Sequence, residues 1–272
     1  MNILYLGQRG SYSEILAKKA FSHDASFITV SSFEQIVEKV LETKDTIGVL
    51  GIENSSSSSV HTNVDLIFNK KLYIVGEATM NIRLDLIGRK GAAVSDITDI
   101  YSHPQALAQC SQFIQTHGFD AHAVASTTSA VEHIAKQNDP TQAAIGSAAS
   151  LRDKQSIIHT NIANHKHNVT RWVFVSNIPF SVSNVINKMT VIFKVKHEIG
   201  SLVRLLQHIA HAEGNMTRIE SRPVPGSNWE YQFWIDLEIP ENSVQVFTDL
   251  FEKETQSFRL VGSYERGIFY NE

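Results

Sequence analysis

Short β-branched runs alternate with amphipathic segments from the first residues of the chain to about residue 176, and this alternation restricts the fold more than any single motif. Strand-like runs lie at 3–6, 27–30, 47–52, 72–76, 122–125, 143–146 and 172–175. Between them, 32–43 places Ile36, Val37, Val40 and Leu41 at helical spacing, and Ser32 with Gln35 reads as a capping box. Segment 13–21 gathers Leu16, Ala17, Ala20 and Phe21 on one face, and 104–116 opens with a proline in a helix's first turn. Strands alternating with helices predict an α/β unit built on a mostly parallel sheet.

The pattern stops in the Ser/Asn-rich stretch 177–187 and restarts beyond it, which marks a domain boundary. Residues 189–195 alternate as a strand, 200–212 form a helix through Leu202, Val203, Leu206 and Ile209, and 216–221 form a second strand. Pro223, Pro225 and Gly226 break the chain before a strand at 231–238, a helix at 243–252 and a last strand at 258–264. The order βαββαβ predicts a ferredoxin-like unit. That order says little about function, because the fold serves many. A length of 272 residues, above the roughly 100–200 of one domain, agrees with two domains.

Composition removes several function classes. A net charge of −4 lacks the basic footprint of a nucleic-acid binder, yet leaves room for a small anion held by local donors. No run approaches the roughly 20 apolar residues of a membrane span, and the apolar start at Met1 has no basic leader or cleavage site, so a cytoplasmic protein is expected. Cys110 is the single cysteine: no intrachain disulfide can form, and a cysteine-based zinc site lacks partners. His208 and His211, and His165 and His167, accompany no metal-binding motif, so they read as surface or structural residues and no metal is expected.

Polar clusters fall near the strand boundaries of the first unit. Gly7 to Ser13 joins the first strand to a helix, and lacks the glycine patterns that bind dinucleotides or nucleoside triphosphates. It reads either as a turn with a serine cap or as an anion cradle at a helix start. Glu53-Asn54 and the serines 55–59 follow another strand and form a hydroxyl-rich loop. Ser102-His103-Pro104-Gln105 leads into the helix that carries Gln109, and Ser126-Thr127-Thr128-Ser129 starts a further helix. Both have capping as their plain structural reading. The last cluster, 168–172, is a polar pentad entering the strand at 172–175.

In this order and spacing the clusters resemble the prephenate dehydratase family. The matching pieces are GSYS at 10–13, IENSSSSSV at 52–60, YSHPQALAQC at 101–110, STTSA at 126–130 and NVTRW at 168–172. GSLV at 200–203 and ESRP at 220–223 look like the paired motifs of the family's regulatory ACT domain. Gln8 stands where the family often has Pro, Trp172 where Phe is usual, and Ser201 where Ala is usual; the last adds a hydroxyl beside the apolar pocket that the resemblance implies. With no chorismate mutase segment before Met1, the chain resembles the monofunctional form.

The resemblance implies a two-lobed, periplasmic-binding-protein-like catalytic domain over 1–180, followed by a ferredoxin-like ACT domain over 187–272. One lobe is expected at 1–77 with 161–180, and the other at 78–160. It implies loss of water and CO2 from prephenate to give phenylpyruvate, with no cofactor. Thr170 is implied at the departing hydroxyl in a hydrogen-bonding or relay role, and Glu53 is a candidate proton source if burial raises its pKa. Asn54, Ser102 and Gln109 are implied to orient the substrate; Ser11, Ser13, Ser55, Thr128 and Arg171 to hold its carboxylates, with structural pairing as the alternative for Arg171. Gly200, Leu202, Val203, Glu220, Ser221 and Arg222 are implied at an L-phenylalanine effector site, in a homodimer or homotetramer. Two alternatives stay open: an arogenate dehydratase, and a non-catalytic amino-acid sensor.

Overall fold

The computed structural model describes residues 1–56, 58–224 and 230–271, so the expected break at Pro225 and Gly226 lies outside the described residues. The chain opens with β1 (Asn2–Leu6), α1 (Tyr12–Ala20), β2 (Ser26–Val30), α2 (Phe33–Glu42), β3 (Thr46–Asn54), β4 (Ser58–Ser59), α3 (His61–Asn69) and β5 (Tyr73–Asn81). It then crosses to β6 (Asp85–Arg89), β7 (Asp99–Ser102), α4 (Pro104–Gln109), α5 (Ser111–His117), β8 (Asp120–Ala123), α6 (Thr127–Gln137), β9 (Gln142–Gly146) and β10 (Gln155–His159). β11 (Val169–Ser176) returns to the first sheet. β12 (Lys188–Lys194), α7 (Ser201–His211), β13 (Asn215–Pro223), β14 (Tyr231–Glu238), α8 (Val244–Glu254) and β15 (Ser257–Tyr264) follow, and β16 (Ile268–Tyr270) ends the chain.

Three sheets result. The first runs β16-β5-β11-β3-β1-β2 with β4 beside β3, the second β10-β6-β9-β7-β8, and the third β13-β14-β12-β15. The first two make the two lobes. β5 stays in the first sheet as far as Asn81, which pairs with Val169, and so runs past the lobe boundary expected at 77. Among the described residues five of the seven strands of the first sheet and four of the five of the second run in one direction, in line with the expected mostly parallel sheet, and the exceptions are β4, β11 and β6. β11 is antiparallel to both β3 and β5, and β6 is antiparallel to β9 and β10. Connectivity is the reason: the chain leaves the first lobe at the C-terminal end of β5 and re-enters at that same edge, so β11 must run back down. The third sheet has the ferredoxin-like order and is antiparallel throughout.

Each face of the first sheet has its own core. Ile3, Tyr5, Leu16, Ala17, Trp172 and Phe174 bury one face under α1. Leu50, Ile52, Val173 and Val175 bury the other against α2, α3 and four residues of the third sheet, Ile192, Trp234, Val261 and Tyr264. The third sheet is therefore packed on both sides, with Phe193, Leu205, Ile235, Phe247 and Phe251 under its own helices. Contact between the sheets is close at Gly262, where any Cβ would sit 2.1 Å from the Ile74 carbonyl oxygen.

Two local details differ from expectation. The Ser32 hydroxyl accepts from Gln35 N at 3.2 Å, but the Gln35 side chain takes the N–H of Ser31 rather than that of the cap, so only half of the box forms. The helix expected over 104–116 is split at Cys110. Asn164, on the segment returning from the second lobe, inserts into its ladder: its N–H donates to Gln109 O at 2.7 Å, and its side-chain oxygen accepts from Gln112 N at 3.1 Å. A side chain that captures ladder groups this way breaks a helix without proline.

Candidate active site

The register of β11 against β3 arranges the site. Thr170 lies opposite Asn54 and Arg171 opposite Glu53. Side chains alternate along a strand, so Thr170 and Asn54 share the sheet face covered by α1, while Arg171 and Glu53 share the face turned to the third sheet. Asn54 Nδ2 donates to Thr170 Oγ1 at 2.9 Å and to Asn168 Oδ1 at 2.7 Å. Asn168 Nδ2 donates in turn to Gln109 Oε1 at 3.1 Å. This relay joins the end of β3 in one lobe to the end of α4 in the other. Because Thr170 accepts from Asn54, its own proton is left to donate, and no acceptor for it lies among the described residues.

Ser55 closes the relay from outside. Its hydroxyl donates to His167 O at 3.3 Å and accepts from Val169 N at 2.9 Å. Asn54, Ser55, Gln109 and Thr170, expected separately from the sequence, are thus brought together. Ser13 lies on the same face, where its hydroxyl accepts from Trp172 Nε1 at 3.3 Å. Ser11 caps α1 by accepting from Glu14 N at 3.3 Å. Its loop is pinned to the second lobe: Gly10, at φ +89°, leaves a Cβ no room against Ala149 and Ser150, and its carbonyl accepts from Ser147 Oγ at 3.3 Å.

Other expected residues have partners outside the relay. Ser102 is fully buried, and its hydroxyl donates to Ile145 O at 2.8 Å, tying β7 to β9 rather than presenting a free donor. Thr128, also buried, pairs with the Ser126 hydroxyl at 3.1 Å inside the cap of α6. Glu53 must be corrected. Its side chain is 43% exposed, points to the face opposite Thr170, and lies 3.7 Å from Arg171, so the burial on which its candidacy as proton source depended is absent.

Arg171 is likewise withdrawn from the expected carboxylate site. Its Nε donates to Glu77 Oε2 at 2.8 Å and its Nη1 to Asp236 Oδ2 at 2.6 Å. Nη2 is also 2.6 Å from Glu77 Oε2, although off the hydrogen-bonding axis. Lys188 Nζ meets the second Glu77 oxygen at 2.7 Å. Asp236, on β14, further accepts from Thr190 at 2.7 Å and from Trp234 Nε1 at 2.8 Å. Tyr264 completes the chain at 2.7 Å from Thr190, donating because Thr190 spends its proton on the carboxylate. Burial alone would raise the Asp236 carboxyl, but Arg171, Thr190 and Arg218 outweigh it and hold it below the usual carboxylate range. Burial, then Glu77 and Asp236, push the Tyr264 phenol well above its ordinary value.

The residues expected at the effector site also divide. Gly200, Leu202 and Val203 line a cavity of about 720 Å³ with Lys194, His197, Tyr231 and Phe233. Glu220 and Arg222 do not line it. Glu220 Oε2 accepts from Ser59 Oγ at 3.0 Å, and Arg222 Nη2 pairs with Asp65 at 3.1 Å, so this stretch of β13 grips the serine loop and α3 of the first lobe; Ser221 between them is exposed. Asn168 belongs to the polar pentad without a role assigned from sequence, and Glu77 and Asp236 belong to none of the motifs. Asp236 carried a signal, being an acid inside the apolar run Phe233 to Leu237.

Two α/β lobes bridged by an amide and hydroxyl relay, with a ferredoxin-like unit docked behind the relay's strand, define a two-lobed α/β protein whose candidate site lies where the lobes meet. The chain belongs to the prephenate dehydratase family. The family's model, "Prephenate dehydratase", matches residues 3–179. A prephenate dehydratase of Methanocaldococcus jannaschii is 34% identical over 96% of this chain and 97% of its own. The solved prephenate dehydratase of Staphylococcus aureus Mu50 superposes with a TM-score of 0.85 at 26% identity, covering 97% of this chain and 100% of that one. The prephenate dehydratase of Arthrobacter aurescens, solved in complex with L-Phe, gives 0.83 at 25% identity, covering 98% and 90%.

Proposed function

We propose that this chain converts prephenate to phenylpyruvate in the cytoplasm and is feedback-regulated by L-phenylalanine. On this reading residues 1–180 form the catalytic domain and 187–272 the ACT domain. The observation that carries it is the bond from Asn54 to Thr170. The C1 carboxylate of prephenate leaves as CO2, its electron pair enters the ring, and the C4 hydroxyl takes up one proton, drawn ultimately from solvent, and departs as water while the ring becomes aromatic. That departure needs a donor at the C4 oxygen, and Asn54 turns the Thr170 proton outward for that use. A threonine hydroxyl is too weak an acid to give up the proton outright, so Thr170 hydrogen-bonds or relays. Asn168 and Gln109 hold Asn54 and Thr170 in register across the cleft, which supports a preorganised site.

The L-Phe complex of the Arthrobacter relative and the cavity at Gly200, Leu202 and Val203 support an effector site there; a homodimer or homotetramer is part of the same proposal. Incubation of the purified protein with prephenate should yield phenylpyruvate. Thr170→Ala should lower kcat about a hundred- to a thousandfold, the usual loss for one transition-state donor, with the melting temperature nearly unchanged. An unaltered kcat would remove Thr170 from the reaction, and a parallel assay with arogenate separates the two substrates.

A further inference from the structure

We propose that Lys166 is a substrate-binding residue that holds one carboxylate of the dianionic substrate in the cavity beside Ser55, the residue next to Asn54; this rests on the dehydratase reading above. A dicarboxylate entering a partly dry cleft needs a counter-charge. Arg171, beside Thr170 in sequence, cannot supply it, because it faces away and is matched by Glu77 and Asp236. Arg152, at the contact between lobes, is spent on the carbonyls of Ser150 and Arg9 at 2.5 and 3.1 Å. Arg83 is paired with Asp85 at 3.1 Å.

Lys166 stands differently. With His165, His167, Ser55 and Ser56 it lines a cavity of about 400 Å³, within the range of small-molecule pockets. Its side chain is exposed, and no carboxylate among the described residues pairs with it. The segment carrying it is anchored on both sides of the relay. Ser55 binds His167 O and Val169 N, and Asn168, two residues on, bonds to Asn54 and Gln109. A cation on so fixed a segment gains from ordering already achieved, and the two histidines beside it add ring nitrogens to the same cavity. The relay residues orient the reacting end, and Lys166 supplies the charge that Arg171 does not.

The test compares wild type, Lys166→Gln and Lys166→Arg at low and high ionic strength, with prephenate turnover and calorimetric prephenate binding measured on each. Lys166→Gln should raise KM and Kd about tenfold at low salt, the loss of one charge-assisted contact, while kcat falls by less than about twofold. Added salt should raise KM of wild type and scarcely that of the variant, and arginine should restore the wild-type values. A KM, Kd and salt response of Lys166→Gln equal to wild type overturns the assignment, as does a loss confined to kcat. Should wild type bind prephenate but yield no phenylpyruvate, the dehydratase reading fails, and Kd alone decides for or against Lys166.

Discussion

Asp236→Asn tests whether the buried charges behind Thr170 hold the third sheet to the catalytic strand. The substitution keeps shape and removes one negative charge from a site holding Arg171, Lys188, Glu77 and Asp236, whose side chains are 11%, 6%, 4% and 0% exposed. With all four ionised the site is neutral. The variant leaves it with an uncompensated positive charge where water is excluded. Removing one partner of a buried pair costs about 3–5 kcal/mol, far more than the pair's net worth, because the stranded charge remains. For a chain of this length each kcal/mol moves the melting temperature about 2–4 °C, so a fall on the order of 10 °C is expected. Calorimetry or circular dichroism reads it. Arg171→Met combined with Asp236→Leu should recover most of the loss, since replacing both charges by packed apolar groups is often neutral.

The same site fixes the direction of a pH effect. The folded Asp236 carboxyl is held below its usual value, so its contribution is present above about pH 3.9, its unfolded value, and disappears as pH falls from there through the lower folded one. Wild type should therefore lose more stability than Asp236→Asn on acidification through that window. A melting temperature of Asp236→Asn within a degree or two of wild type at pH 7 would refute the reasoning, since it would mean that water or a rearranged partner already relieves Arg171.

Two further outcomes follow from placement. Glu53→Gln should change kcat less than about threefold, because Glu53 lies on the sheet face opposite Thr170; a hundredfold fall in prephenate turnover would return it to the chemistry. Cys110 is fully buried, and burial pushes its thiol up to about 12, so alkylation at pH 8 should be negligible in the native protein and complete in urea; mass spectrometry distinguishes the two.

Much of the fold was legible in local pattern. The strands that became β1, β2, β3, β9 and β14, the helices α1 and α2, and the βαββαβ order all follow from periodicity and caps, which are properties of neighbouring residues. The strands β6, β7 and β10 were not legible, nor was β16, because short runs such as Asp99–Ser102 lack a clear alternation. The β11 strand was read from residue 172, three residues late. Alternation over the three added residues sends Thr170 and Arg171 to opposite faces, which leaves Arg171 the structural pairing that stood as its alternative.

Each of Asn54, Ser55, Gln109 and Thr170 sits at or near a strand or helix end, where local pattern reads only caps and turns; the resemblance to the prephenate dehydratase family is what marks them as site residues. Tertiary structure alone decided the rest. Asn164 breaks a helix that its own residues would continue, Gly262 admits the Ile74 carbonyl, and Asp236 claims the arginine that chain order had set beside Thr170. Each of these depends on a partner far away along the chain. Local propensity carries no information about which distant group will arrive, whereas burial forces every charge to find one.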